Sequence, residues 1–237
     1  MKVDVETLAY IQNVVRTAQL VKINNIVIEP ERVRAIDDEK SVVLFQDSDV
    51  PDMPFGSIGL NRIDVFLTRF EIAKGAADFT LEAVMPESDA KFARALLMQG
   101  KGIKIDYRCA NPATIQAPKQ IHDTIKYKIQ MNPEAVLLMS KGQGAMGADE
   151  VSLISDKEGV RFEMTDINGD AFTHGFAKSV TNVDPSTGRD TNFTHKYPLK
   201  VMLPLFKTAS DVPFHVTSKG MLKVVVNGLD MYVLPRA

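Results

Sequence analysis

Several things are scarce in this 237-residue chain, and each scarcity excludes a class of protein. There is one cysteine, Cys109, so no internal disulfide framework can form. A single thiol fits a reducing compartment, and its strand-like surroundings suit a buried structural role. No apolar run approaches the roughly 20 residues that span a bilayer. The N-terminal stretch MKVDVETLAY lacks an apolar signal core and carries two acids, which argues against secretion and for a cytoplasmic protein. Positive charge is not in surplus: the net charge is -2. A domain holding nucleic acid by direct affinity alone is normally basic, because phosphate neutralisation supplies most non-specific binding.

A recognisable reaction centre is also lacking. His122, His174, His195 and His215 are scattered, with no histidine or cysteine partner at metal-ligand spacing. No serine sits in a nucleophile elbow. Gly142, Gly144 and Gly147 spell GxGxxG, but a dinucleotide site needs that motif between a strand and a helix. Here it follows a predicted helix and reads as a loop. Asp166, Asn168 and Asp170 resemble the start of a calcium loop, yet Ala171 and Ala177 stand where glycine and glutamate are needed. That segment reads as a polar turn. No catalytic residue, metal site or cofactor is predicted, and the chain is not read as an enzyme.

What the chain does have is one plan used twice. Its length allows two domains, each with its own core. The pattern predicts 1–110 as one domain, 111–123 as a connector and 124–237 as a second domain, with the Pro-bearing linker ANPATIQAPKQIHD between them. Each half reads as a helix, several strands, a second helix and a closing three-strand meander. The first helix is expected over Glu6–Ala18, with Leu8, Ile11, Val15 and Ala18 inward and Tyr10, Asn13, Arg16 and Thr17 outward. The next helix is expected over Leu60–Lys74, burying Leu60, Ile63, Leu67 and Phe70. In the second half, helices are expected from Pro133 to about Lys141, ended by Gly142, and over Leu199–Thr208, limited by Pro204. Hairpin turns are expected at Gly100-Lys101-Gly102, Asn168-Gly169 and Asn227-Gly228. Asp47–Gly56 reads as an exposed loop and Asp184–Asp190 as a mobile one.

Basic residues recur on the outward helix faces, where acids are not expected. Arg62 and Arg69 stand seven residues apart, as do Lys200 and Lys207. Two helical turns separate such positions on one face, which could meet phosphates while the opposite stripe packs on a sheet. With Arg16 and Lys141 these form a candidate DNA-facing set.

This pattern resembles the DNA sliding clamps, the polymerase processivity factors, of the PCNA-like and tailed-bacteriophage type. The likeness is carried by the connector ANPATIQAPKQI, by the ending GMLKVVVNGLDMYVLPRA and by the repeated plan. It implies an α+β fold of two similar clamp domains, with helices on one face of antiparallel sheets. It further implies a homotrimeric ring around double-stranded DNA, held topologically and without sequence preference, that tethers the replicative polymerase. A DNA polymerase C-terminal peptide would enter a pocket at Ile115, Ala117 and Pro118 on the connector and Tyr232, Leu234 and Pro235 on the tail. A clamp-loader ATPase, and in some phage clamps late-transcription factors, are the other implied partners. The absence of a long acidic tail favours the phage type, placing the protein in a host-cell cytoplasm. The alternative is a β-rich ring-forming virion or tail protein.

Overall fold

The structure is a computed structural model that describes residues 1–53, 55–87, 90–121, 123–176, 180–182, 192–209, 211 and 213–236. The chain divides into two compact units, 1–38 with 43–120 and 39–42 with 121–237.

In the first unit, Asp4 starts helix α1 (Val5–Leu20) by accepting the Thr7 amide at 2.8 Å. A carboxylate at this position satisfies one of the orphan amide donors of a helix start. Thr7, Ile11, Val14, Val15, Thr17 and Ala18 form the buried stripe. Thr17, expected outward, is therefore inward, and Leu8 is only half-buried. The observed stripe is wider than a strict one-in-four row, and α1 packs against the second helix of the unit. Strands β1 (Asn25–Glu29), β2 (Arg32–Ile36), β3 (Val42–Gln46) and β4 (Ser57–Asn61) follow. They lie side by side in the order β3-β2-β1-β4.

Helix α2 is Ile63–Lys74, shorter than expected at its start. Leu60 belongs to β4, paired with Ile26, and Arg62 is the N-cap in a left-handed conformation at φ 53°. The apolar periodicity of 60–74 runs across a strand end and a helix start, so the period alone hid the boundary. Strands β5 (Thr80–Val84), β6 (Phe92–Ala93), β7 (Ala95–Gly100) and β8 (Ile103–Arg108) complete the unit. The stretch Lys91–Met98 is not one continuous strand. The chain instead changes sheets at Arg94: β6 pairs in parallel with β4, and β7 lies between β5 and β8. Phe66 and Phe70 stack at 5.8 Å between centroids, with Tyr107 edge-on to Phe66 at 5.1 Å and half-buried Phe79 edge-on to Phe70 at 5.5 Å.

The second unit repeats this plan. Helix α3 (Pro133–Met146) is capped by Asn132, which accepts the Ala135 amide at 2.8 Å. Strands β10 (Glu150–Asp156), β11 (Gly159–Thr165), β12 (Ala171–Gly175) and β14 (Phe193–Pro198) form a sheet ordered β12-β11-β10-β14. This order matches β3-β2-β1-β4. Helix α4 is Leu199–Thr208 and runs through Pro204. The meander β15 (Pro213–Thr217), β16 (Leu222–Val226) and β17 (Leu229–Val233) matches β5-β7-β8. Phe162, Phe176, Phe206 and Phe214 make the corresponding aromatic core.

Two less visible features also repeat. Strand β9 (Ile125–Gln130) precedes α3 and pairs with β15, flanked on its other side by the short β13 (Val180–Asn182). Residues 1–3 precede α1 and pair with β5 through Met1 and Val3. After each meander the chain returns to the other sheet: Ala110 donates to Gly59 of β4, and Arg236 donates to Lys196 of β14. A side chain at Gly59 would stand 2.3 Å from the Ala110 carbonyl oxygen, so this crossing needs glycine. In both units the paired helices pack against each other and against the antiparallel sheets.

The three expected turns are present. Lys101-Gly102 and Asn227-Gly228 are two-residue hairpins, with Asn227 and Gly228 at φ 53° and 79°. Both positive angles belong to the type I′ turn that suits strand twist. Asp184–Asp190 lies outside the described residues.

Candidate nucleic-acid interface

The six basic positions divide by their surroundings. Arg16 is exposed on α1, but its Nη2 lies 2.7 Å from Glu71 Oε1 on α2. Lys200 is exposed on α4 and forms an ion pair with Glu39. Arg62, Arg69, Lys141 and Lys207 have no carboxylate within 4.0 Å among the described residues. Arg62, Lys141 and Lys207 are exposed and Arg69 is half-buried.

Two expectations change here. Arg62 and Arg69 do not stand two turns apart on one helix, because Arg62 is the cap. Nor are the outward faces free of acids. Asp64 and Glu71 are exposed on α2, Glu6 on α1 and Glu134 on α3. Gln12 Nε2 donates to Glu71 at 3.1 Å, Lys74 Nζ donates to Gln12 at 2.9 Å, and Gln19 Nε2 donates to Asp64 at 2.9 Å. The pairing of Glu71 with Arg16 was missed because it is tertiary: the two are 55 positions apart in sequence. The helix sequences show that α1, α2 and α3 each balance their charges, and α4 alone carries an excess.

The predicted peptide-pocket residues fall in both units. In the first, Asn111 caps a 3-10 turn over Pro112–Thr114, and Ile115 packs on the backbone of Gly59. Ala117 and Pro118 follow half-buried. In the second, Tyr232 is buried to 9% exposure. Lys223 Nζ lies 5.6 Å from its ring centroid and 2.5 Å from Asp230. Leu234 donates its amide to Ser41, and Leu234 and Pro235 remain half-buried.

The other motifs are structural. Gly142 and Gly144 lie inside α3, and Gly147 caps it at φ 60°. The helix thus runs through the glycines that were expected to end it. Asp166 Oδ1 accepts the amides of Asn168 and Asp170, both at 2.8 Å, and so closes the predicted polar turn. Burial, helped by Asp106, pushes the Cys109 thiol up to about 12, which leaves it protonated and unreactive at neutral pH. Among the described residues, no group of three His, Cys, Asp or Glu side chains is placed to hold a metal ion. No helix among them is long and apolar enough to cross a membrane.

No protein-family model matches the sequence, and no curated protein matches it. Solved structures do. PCNA from Entamoeba histolytica is similar with a TM-score of 0.62 at 15% identity, covering 97% of this chain and 96% of that one. A. fulgidus PCNA, solved with the C-terminal region of FEN-1 bound, is similar with a TM-score of 0.59 at 16% identity, covering 96% and 95%. Over nearly its whole length, this chain has the α+β fold of the PCNA sliding clamps.

Proposed function

We propose that the protein is a DNA sliding clamp of the tailed-bacteriophage type, a binding protein with no catalytic step. Three copies close head to tail around duplex DNA and tether the replicative polymerase. The observation that carries this reading is the duplicated fold, matched from end to end by PCNA structures. A ring of repeated domains holds DNA by enclosure, so a chain with net charge -2 needs only weak phosphate contacts. The exposed cations Arg62, Lys141 and Lys207, with half-buried Arg69, supply contacts of that kind.

The edges of each unit support self-association. Among the described residues, β8 ends one sheet in the first unit and β12 ends one in the second. Open edges invite pairing with another chain. Helix α2 packs over β8 and carries Ile72 at 55% exposure; α3 packs over β12 and carries Leu137 at 54% exposure. An edge and an exposed apolar side chain in each unit suit a head-to-tail joint, which closes when the rotation allows.

A peptide partner is supported by the A. fulgidus PCNA structure, in which the C-terminal region of FEN-1 is bound. For this chain the partner is the polymerase C-terminal peptide, at Ile115, Ala117, Pro118, Leu234 and Pro235, with Tyr232 beneath the Lys223–Asp230 pair. A clamp-loader ATPase would open the ring.

Sedimentation velocity over a dilution series tests the assembly. The expected result is a species of three chain masses that binds a short duplex weakly and without sequence preference. A monomer at all concentrations would overturn the ring, and open-ended assemblies indifferent to DNA would favour the virion reading.

A further inference from the structure

We propose that Glu71 is a built-in competitor for DNA phosphate that keeps the clamp's hold on DNA weak. This rests on the reading that the α1/α2 face meets duplex DNA.

The carboxylate is the hub of a small network. Its Oε1 accepts from Arg16 at 2.7 Å and from Gln12 at 3.1 Å. Gln12 in turn accepts from Lys74 at 2.9 Å. One acid thus occupies Arg16 directly and engages Lys74 through an amide relay. The arrangement is exposed, with Arg16 at 56% and Glu71 at 47% side-chain exposure. Exposed pairs of this kind contribute little to stability. Glu71 therefore has little value as a fold-holding group, and its bond to Arg16 is easily exchanged.

Exchange with phosphate is the consequence that matters. A DNA phosphate reaching Arg16 must displace a carboxylate that already supplies the same two features, negative charge and an acceptor oxygen. The net gain is small, and little salt is released from an arginine already neutralised. Counterion release scales with the number of cations that newly neutralise phosphate. With Glu71 in place, Arg16 adds little to that number. A sliding protein gains from this: fewer firm contacts mean a lower barrier to each step along the duplex.

The test uses fluorescence anisotropy of a labelled short duplex, titrated with the intact protein between about 50 and 200 mM salt. Glu71→Gln is expected to tighten binding by up to about tenfold at the low-salt end and to steepen the salt dependence by about one contact. Arg16→Gln alone should change little, and Arg16→Gln added to Glu71→Gln should abolish the gain. Circular dichroism and sedimentation establish that each variant keeps its fold and assembly. If Glu71→Gln binds like the parent while Arg69→Gln weakens binding, the competitor role is wrong and the DNA face stands. If Arg62→Gln, Arg69→Gln and Lys207→Gln all bind like the parent as well, the DNA face itself is wrong.

Discussion

Gly142 in the middle of α3 faces the ring of Phe172 on β12, so closely that a methyl group on it would stand 2.6 Å from Cδ1. The absence of a side chain is what lets this helix sit down on the sheet edge. Helix propensity and packing pull in opposite directions for alanine at this position. Helix propensity favours Ala over Gly by about 1 kcal/mol, whereas overpacking a filled site costs about 1–3 kcal/mol. At Gly142 the clash wins, so Gly142→Ala should lower stability. At Gly144 nothing lies within 4 Å, so Gly144→Ala should raise it by up to about 1 kcal/mol. Urea unfolding of both variants checks the pair. Stabilisation by both would mean that α3 shifts freely over Phe172.

Gly220 makes a second such contact. Its φ is +79°, and a Cβ there would meet the His195 ring at 2.6 Å, while its carbonyl accepts from the Tyr197 hydroxyl at 2.6 Å. Gly220→Ala combines left-handed strain, about 1 kcal/mol, with displacement of His195. The expected loss is about 2–3 kcal/mol, read as a lower urea midpoint with an unchanged slope.

Acid should weaken the fold through two histidines. Burial holds His195 below its ordinary value. Burial, then Lys128 and Lys223, hold His215 down against the opposing pull of Asp230. The unfolded chain protonates its histidines near about 6.5. Below that pH it binds more protons than the folded chain, so stability rises with pH. The contribution of the neutral rings is complete above about 6.5 and is lost as pH falls toward the folded values. The urea midpoint should be lower at about pH 5.5 than at about pH 7.5. The difference should shrink in the His195→Gln, His215→Gln double variant; an undiminished difference would assign it to other groups.

The self-association surface predicts a separation of assembly from folding. Ile72→Glu or Leu137→Glu places a charge on an exposed apolar position, so the folded chain should be nearly unaffected. A charge buried unpaired in a joint is costly. Sedimentation should therefore show chains of single mass with unchanged circular dichroism. Full retention of the assembly in both variants would place the joint elsewhere.

Lys207 and Lys200 should differ despite sharing a face of α4. Glu39 occupies Lys200, whereas Lys207 is exposed with no carboxylate in ion-pair range among the described residues. Lys207→Gln should weaken duplex binding at every sequence and reduce the salt slope by about 1. Lys200→Gln should do less. Equal effects would show that the Glu39 pair opens at no cost when DNA approaches.

The sequence alone determined those features that depend on near neighbours along the chain. The α4 span, the hairpins at Lys101-Gly102 and Asn227-Gly228, the polar turn at Asp166 and most of the α1 stripe follow from spacing and turn chemistry acting over a few residues. The duplicated plan was legible for the same reason, since each half repeats local signals in one order. Tertiary structure decided the rest. The mixed stretch SIGLN is strand β4 because β1 and β6 supply its pairing partners. Leu60 and Arg62 looked helical because an apolar period does not stop at a strand end. Gly142 reads as a helix stop until Phe172 explains its presence. The pairing of Arg16 with Glu71 decides how much of the basic face is available to a phosphate. It joins residues far apart in sequence, and only folding α2 against α1 brings them together.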